Sequence, residues 1–309
     1  MNPVFRIVLG EVLLGLLGVV VVGALVAWYA SGELVAALPR YVGHPPTDLP
    51  VSNATFSNGS DSLVHGWVAR GDAGKGAVLL LHGVHGDRRE MVPRAEFLHR
   101  LGYTVLVIDL QSHGESRGPH VSFGLRESRD VAAAIAYMHY TLPDERIGVV
   151  GVSLGAAAFA LADHRPPVDA VVVESLYPTL KNAVASRLRQ HMGPLGRPFA
   201  PLMTFLVRLR LGASRHPLDM EDHMAHIGAP LLMASGATNP DIPIETERAL
   251  FAAAPEPKEF WEVSNAGDVD LYTVAKAEYE RRIAAFLGAH LPSAQKPANA
   301  ATRQAAPAS

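Results

Sequence analysis

Short apolar runs alternate with longer segments of helical periodicity through the middle of the chain. The runs are four or five residues long, which is typical of strands buried on both faces of a parallel sheet. They lie at residues 77–81, 105–108, 147–150 and 170–173. Amphipathic helices are expected between them at 88–101 and 125–140. Strands that alternate with helices predict an α/β domain with a doubly wound, mostly parallel sheet.

The same alternation of strands and helices continues along the chain, with one interruption. Further strands are predicted at 63–69, 230–234 and 260–263, and further helices at 245–254 and 272–287. From residue 180 to about 215, basic helical stretches are broken by glycine and proline, and the rhythm is lost. We expect this segment to be a helical cap inserted over the ends of the strands.

The N-terminus carries a long apolar segment. Residues 12–30 contain no charge, and at about 1.5 Å per residue a helix of this length spans a hydrocarbon core. Trp28 and Tyr29 end it, where aromatic rings favour the membrane interface. A cleaved signal peptide is the alternative, but its apolar region is normally shorter and is followed by small residues. We predict a single-pass transmembrane helix, and Arg6 before it indicates a cytoplasmic N-terminus with the domain outside the cytoplasm.

The remaining segments complete the expected domain organisation. Residues 1–11 form a short N-terminal segment, and residues 31–50, with two adjacent prolines, predict a stiff spacer. The α/β domain is expected over 51–291. Residues 292–309 are rich in Ala, Pro and Gln, so we expect a disordered tail.

Charge and cysteine content exclude several classes of function. The net charge is −3, and no basic face suggests a nucleic-acid partner. Cysteine is absent, which excludes disulfides, thiolate catalysis and cysteine metal sites. His82 and His85 could form a metal pair, but they lie in a glycine-rich loop without an obvious third ligand. We therefore expect no metal and no cofactor.

One pentapeptide carries the clearest chemical signal. Residues 151–155 read GVSLG and match G-x-S-x-G. They follow an apolar run and precede an Ala-rich helix predicted to end at Asp163. A sharp strand-to-helix turn exposes the serine, and small flanking residues let the backbone turn tightly. This context predicts Ser153 as a nucleophile, against the alternative of a glycine-lined turn without catalytic use.

Two other segments, together with GVSLG, resemble a known family. The loop HGVHG at 82–86 follows a predicted strand, and 109–116 reads DLQSHGES. These segments resemble the α/β-hydrolase superfamily, in its esterase/lipase-like and peptidase-like branches, and the resemblance covers almost all of 51–291. It implies the α/β-hydrolase fold with an eight-stranded sheet, and hydrolysis of esters, amides or similar acyl bonds.

The resemblance also assigns roles in the loops beside the serine. The backbone N–H groups of Val84 and Leu154 would form the oxyanion hole. His82, Gly83 and His85 would belong to the binding loop. A small acyl or ester compound is therefore the expected ligand, and the membrane is the other expected partner.

The partners of the serine depart from the family pattern. After the seventh strand, the pattern G-x-x-D-x-x-x-P aligns Asn239 with the acid, and after the eighth, G-A-x-H-x-x-L-Y aligns Asp268 with the histidine. An aspartate is shorter than imidazole and has a low proton affinity at neutral pH. Asp241 is a shifted candidate for the acid, and Glu174 is another. Asp268 and Asp270 could alternatively form a carboxylate pair or metal site.

Seven histidines elsewhere remain candidates for the missing base. Three are on loops at the catalytic edge, and four are in or after the cap: His82, His85, His113, His191, His216, His223 and His226. Each has the alternative of being a surface or hydrogen-bonded structural histidine.

Two functions therefore stay open at the level of sequence. The first is a membrane-anchored serine hydrolase with a non-standard or impaired triad. The second is an inactive pseudo-hydrolase that binds an acyl or apolar ligand or a protein. A purely structural membrane protein is a third class, but it would not need the exposed serine or the glycine-rich loop.

Overall fold

The computed structural model describes residues 3–60, 62–212 and 218–292. The predicted apolar helix is present as α1 (Pro3–Leu34), longer than expected at both ends. Its segment Glu11–Leu34 has a mean hydropathy of 2.5, and no residue of its 18-residue apolar window is buried, whereas Ser31 and Leu34 near its end pack on the domain. By length and composition, this helix is suited to cross a membrane or to serve as a signal sequence.

Eight strands form the main sheet. They are β1 (Val51–Ser57), β2 (Leu63–Ala69), β3 (Ala77–Leu81), β4 (Thr104–Ile108), β5 (Ile147–Val152), β6 (Ala170–Glu174), β7 (Leu231–Gly236) and β8 (Lys258–Val263). Their order is β8-β7-β6-β5-β3-β4-β2-β1. The β1/β2 and β2/β4 pairs are antiparallel and the others parallel, which confirms the predicted eight-stranded, mostly parallel sheet.

Helices cover both faces of this sheet. They are α2 (Val92–Arg100), α3 (Glu127–Thr141), α4 (Leu154–Ala160), α7 (Met220–Met224), α8 (Ile244–Ala253), α9 (Leu271–Val274) and α10 (Lys276–His290), with the cap helices α5 (Leu180–Met192) and α6 (Ala200–Leu211). Two expected helices are divided. A 3₁₀ turn, Arg88–Met91, precedes α2, and Ala275, at φ −126° and ψ 36°, separates α9 from α10.

Alternate residues of each central strand enter two separate cores. In β3, Leu79 and Leu81 contribute to the core beneath α3 and α4, whereas Val78 and Leu80 contribute to the core beneath α2 and α10. This follows from the two-residue period of a strand, which sends neighbouring side chains to opposite faces. A strand buried on both faces therefore has few polar positions, which explains the uninterrupted apolar runs.

Residues 31–50 differ from the expected spacer because they pack on the domain. Leu38–Pro39 pairs in parallel with His113–Gly114, and the N–H of Val121 donates to the carbonyl of Val35 at 2.9 Å. Val42 and Leu49 are buried. The apolar residues of the segment therefore hold it against the sheet, despite the prolines. Of the expected tail, residues 293–309 lie outside the described residues.

The cap insertion lies over the carboxyl ends of the strands, as expected. It consists of α5, a 3₁₀ segment (Gly193–Phe199) and α6. Arg210 at the end of α6 contacts α1: its Nε donates to Ser31 Oγ at 2.8 Å, and its guanidinium lies 4.0 Å from the Trp28 ring centroid. The cap and α1 are therefore joined directly.

Candidate active site

Ser153 lies at the turn between β5 and α4, with φ 47° and ψ −102°. This is a strained conformation for a residue with a side chain. Its N–H donates to the carbonyl of Glu174 at 2.8 Å. The flanking glycines are required because a Cβ on Gly151 would lie 2.8 Å from Ala156 N, and one on Gly155 would lie 2.5 Å from Leu81 O. The G-x-S-x-G spacing thus reflects contacts of the turn with α4 and β3.

The loop after β3 lies against this serine. A Cβ on Gly83 would be 3.8 Å from Ser153 Cβ, and Val84 and Leu154 line the same cavity as Ser153. Leu154 is the first residue of α4, so its N–H has no acceptor within the helix. The two residues expected to form an oxyanion hole are therefore brought together beside Ser153.

The two histidines of this loop behave differently. The buried His82 accepts from the Leu110 N–H through Nε2 at 3.0 Å, and its Nδ1 lies 2.7 Å from the Gly83 carbonyl. Because a backbone N–H can only donate, the ring proton of His82 is on Nδ1. Both nitrogens are thus used within the fold, so the expected ligand-binding role of His82 is not supported. His85 differs, since its buried Nε2 has no hydrogen-bond partner.

The cavity above Ser153 is small, at about 40 Å³. Four cap residues form one wall: Ala183, Ser186, Arg187 and Gln190. The other lining residues come from loops at the edge of the sheet: Val84, Phe123, Ser153, Leu154, Ser175, Tyr177, Ile242 and Asp268. No histidine is among the described residues that line it.

Asp268, which the sequence pattern aligns with the family's histidine, faces this cavity but is bound to the cap. Its Oδ2 accepts from Ser186 Oγ at 2.8 Å, from Arg189 Nη2 at 3.3 Å and from Gln190 Nε2 at 3.3 Å. These donors compete with Ser153 for the carboxylate. Asp268 is thus placed to hold α5 over the site.

Asn239, which the sequence pattern aligns with the family's acid, is also hydrogen-bonded within its own loop. Its Oδ1 accepts from the Asp241 N–H at 3.0 Å. The buried Asp241 carboxylate forms an ion pair with Arg189, and the Asp241 carbonyl accepts from Asn182 Nδ2 at 3.0 Å. Arg189 therefore joins the cap helix α5 to the loops that follow β7 and β8.

The other two carboxylates considered above, Glu174 and Asp270, lie in a separate network around the buried Arg94. Glu174 pairs with Arg94 of α2 at 2.7 Å, not with an arginine of the cap, and accepts from Tyr279 Oη at 2.5 Å. Asp270 also pairs with Arg94 and accepts from the Thr273 N–H at the start of α9. Asp268 and Asp270 thus have different partners and do not form a carboxylate pair. Within the described residues, no cluster of acidic and histidine side chains suits a metal ion.

The remaining histidines are also held within the fold. His191 Nδ1 is 2.8 Å from the Arg187 carbonyl, His223 Nδ1 is 3.1 Å from Asp163 Oδ1, and His226 Nδ1 is 2.8 Å from the Asp222 carbonyl. His216 lies outside the described residues.

Burial sets the protonation state of His85 and His113. Burial lowers the pKa of His85 to about 4, with further contributions from the charges of Arg187 and His191. It lowers the pKa of His113 to about 3. Both are neutral at pH 7 and have a buried Nε2 without a partner.

Two arginines of α5 belong to the site but were not predicted from the sequence. Arg187 lines the cavity and is buried, while Arg189 makes the ion pairs described above. The basic character of the insertion was visible in the sequence, but which face of α5 meets the site was not.

Comparison with known proteins agrees with the geometry. Residues 78–303 match the model of the "Alpha/beta hydrolase family". An uncharacterised protein from Mycobacterium tuberculosis is 30% identical over 263 residues, covering 80% of this chain and 87% of that protein. A lysophosphatidylserine lipase from Macaca fascicularis is 23% identical over 233 residues, covering 71% of this chain and 57% of the lipase.

Solved structures support the same fold. An esterase from Pyrococcus furiosus superposes with a TM-score of 0.69 at 22% identity, covering 83% of this chain and 98% of the esterase. An esterase from Exiguobacterium antarcticum gives a TM-score of 0.58 at 13% identity, covering 76% of this chain and 99% of the esterase. The family model spans the region from β3 past α10, including the turn at Ser153. The chain belongs to the alpha/beta hydrolase family.

Proposed function

We propose that this protein is a membrane-anchored serine hydrolase of acyl or ester compounds, with Ser153 as nucleophile and an impaired triad. The observation that carries the proposal is the backbone of Ser153. A positive φ at a residue other than glycine costs on the order of 1–3 kcal/mol, and the glycines around it are needed for tight packing. The same turn places Ser153 in the cavity that Val84 and Leu154 also line, as attack on a bound carbonyl group requires.

The arrangement supports the first step of acyl transfer. Attack of Ser153 Oγ on a carbonyl carbon would generate an oxyanion, which the N–H groups of Val84 and Leu154 would stabilise. Each such donor is worth roughly 3 kcal/mol. The serine proton has no histidine acceptor among the described cavity residues, so in our proposal it passes to solvent.

The expected turnover is correspondingly low. Removal of the base from a complete triad lowers the rate by about 10⁴–10⁶, while the oxyanion hole and binding alone retain roughly 10³ over water. The proposal therefore predicts slow, Ser153-dependent hydrolysis, rather than the rate of a complete triad.

Contacts between α1 and the cap support retention of α1 as an anchor. The Trp28 carbonyl and the Ser31 hydroxyl both accept from Arg210, so cleavage of α1 would remove partners of the cap. We propose that the N-terminus is cytoplasmic and that the domain lies outside the cytoplasm. Resistance to carbonate extraction, together with digestion of the domain by protease added to the outside of intact cells, tests both parts.

A fluorophosphonate probe tests the proposed nucleophile directly. The full chain in a non-ionic detergent would be treated beside Ser153→Ala, with Ser186→Ala as a matched control from the same cavity. We expect slow labelling of the parent and of Ser186→Ala, and none of Ser153→Ala. Labelling that survives Ser153→Ala, or no labelling of a folded parent, would reject Ser153 as an activated nucleophile.

A catalytically silent binding protein is the second candidate. The observation that favours it is the occupation of Asp268 Oδ2 by three donors from the cap. Restoration distinguishes the two candidates. If Asn239→Asp with Asp268→His creates esterase activity where the parent has none, the site is a disabled triad; if the parent already hydrolyses a p-nitrophenyl ester through Ser153, the first proposal holds.

A further inference from the structure

Arg187 is a buried cation that pairs with no carboxylate of the described residues. It lies on the inner face of α5, is 2% exposed, and lines the cavity that contains Ser153. Its Nε and Nη1 are buried without a hydrogen-bond partner, although a guanidinium carries five N–H donors. Leaving donors of a charged group unpaired in the interior is costly.

The other fully buried arginines of the described region are paired. Arg88 contacts Asp109 at 3.0 Å and also Glu115, and Arg94 contacts Glu174 at 2.7 Å. Burial lowers the pKa of Arg187 to about 10, which still leaves it charged at neutral pH. The fold therefore places one uncompensated positive charge beside the serine.

The groups around Arg187 do not neutralise it. Besides burial, the charge of Arg187 lowers the pKa of His85 and of His113, which are both neutral, and the charge of Arg40 also acts on His85. Asp268 lines the same cavity, but its Oδ2 is taken by Arg189, Ser186 and Gln190. The cavity is thus electropositive on the side of Arg187.

We propose that Arg187 binds a carboxylate of the ligand that occupies the Ser153 cavity, so that this site takes anionic acyl compounds. The proposal deepens the proposed function and rests on it for the acyl part. The cavity of about 40 Å³ has room for about three water molecules at roughly 10–15 Å³ each, which is enough for a carboxylate head group while the rest of the ligand extends out of the cavity. A planar guanidinium binds such a group through two parallel hydrogen bonds.

Binding is measured in the Ser153→Ala background, so that failure of the serine chemistry leaves this test intact. Isothermal titration of the full chain in a non-ionic detergent would compare hexanoate with hexanamide, which has the same shape without the charge. The variants are Arg187→Met, Arg187→Lys and, as a matched control on the exposed side of the cap, Arg197→Met. Hexyl phosphate is the third ligand and distinguishes a phosphate site from a carboxylate site.

We expect hexanoate to bind more tightly than hexanamide. Arg187→Met should weaken hexanoate about 10- to 100-fold, since a charge-assisted contact is lost, whereas Arg197→Met should change it less than about 2-fold. Arg187→Lys should fall between the parent and Arg187→Met, because it retains the charge but not the planar fork. Tighter binding of hexyl phosphate than of hexanoate would overturn the carboxylate assignment.

A second measurement separates a ligand-binding role from a structural one. Without ligand, Arg187→Met should keep or raise the melting temperature, because it removes an unpaired buried charge. The proposal is overturned if hexanoate and hexanamide bind equally in every variant, if neither binds at millimolar concentration, or if Arg187→Met lowers the melting temperature and weakens both ligands alike.

Discussion

Arg189→Met removes the side chain that connects the cap helix α5 to the loops after β7 and β8. In the parent, Arg189 forms an ion pair with Asp241 and contacts Asp268 Oδ2 at 3.3 Å. Asp241 is 3% exposed, whereas Asp268 is 25% exposed and Arg189 is 30% exposed. Methionine keeps much of the length of the side chain while removing every donor.

The unequal exposure of Asp241 and Asp268 decides how much free energy each contact with Arg189 contributes. The contact with Asp268 is screened by solvent and contributes ~0.5 kcal/mol or less. The contact with Asp241 is worth roughly 1.5–3 kcal/mol, because its loss leaves a buried carboxylate without its cation. A total of about 2 kcal/mol corresponds to about a 30-fold increase in local opening of α5.

Hydrogen–deuterium exchange measures this opening by region. Amides of α5 should exchange about 30-fold faster in Arg189→Met. Amides of α3, whose residues are not ion-pair partners of Arg189, should change little. Arg197→Met, an exposed position in the same cap, is the control for loss of an arginine. Unchanged exchange in α5, or equal acceleration in α3 and α5, would refute the idea that Arg189 fastens the cap.

Three further predictions concern stability. Burial raises the pKa of Glu247 from 4.5 to about 8, so between these pH values the folded chain holds a proton that the unfolded chain has lost, and the free energy of unfolding falls as the pH rises. Glu247→Gln should therefore be more stable than the parent at pH 8 but not at pH 4.5 in urea titrations, by at most ~5 kcal/mol. Gly155→Ala should cost about 1–3 kcal/mol or more in the same assay and abolish probe labelling, because its Cβ would lie 2.5 Å from Leu81 O; a neutral result would mean that β3 shifts freely. Arg94→Met should cost roughly 3–5 kcal/mol by leaving Glu174 buried and unpaired, and a loss under about 1 kcal/mol would contradict that account.

Much of the fold followed from local sequence patterns. Uninterrupted apolar runs located the central strands because a strand covered on both faces has few polar positions. The glycine spacing around Ser153 located the strand-to-helix turn, since neighbouring backbone leaves no room for a Cβ there. The strand β1 was missed, since it lies at the edge of the sheet and only Ala54 within it is buried. The packing of residues 31–50 was also missed, because prolines describe local stiffness and not what the chain lies against.

The sequence by itself therefore determined the family and the strand-to-helix turn at Ser153, and it predicts substitutions of the triad at Asn239 and Asp268. Only the tertiary structure decided what surrounds the serine. The hydrogen bond from Arg189 to Asp268 joins residues 79 positions apart, and the Arg94–Glu174 contact joins residues 80 apart. Such pairings cannot be recognised from the periodicity of the sequence, because the neighbours of each arginine along its helix are the same whether its side chain contacts a carboxylate, a ligand or solvent. The pairing of Arg189 and the isolation of Arg187 arise from how α5 is placed over the sheet.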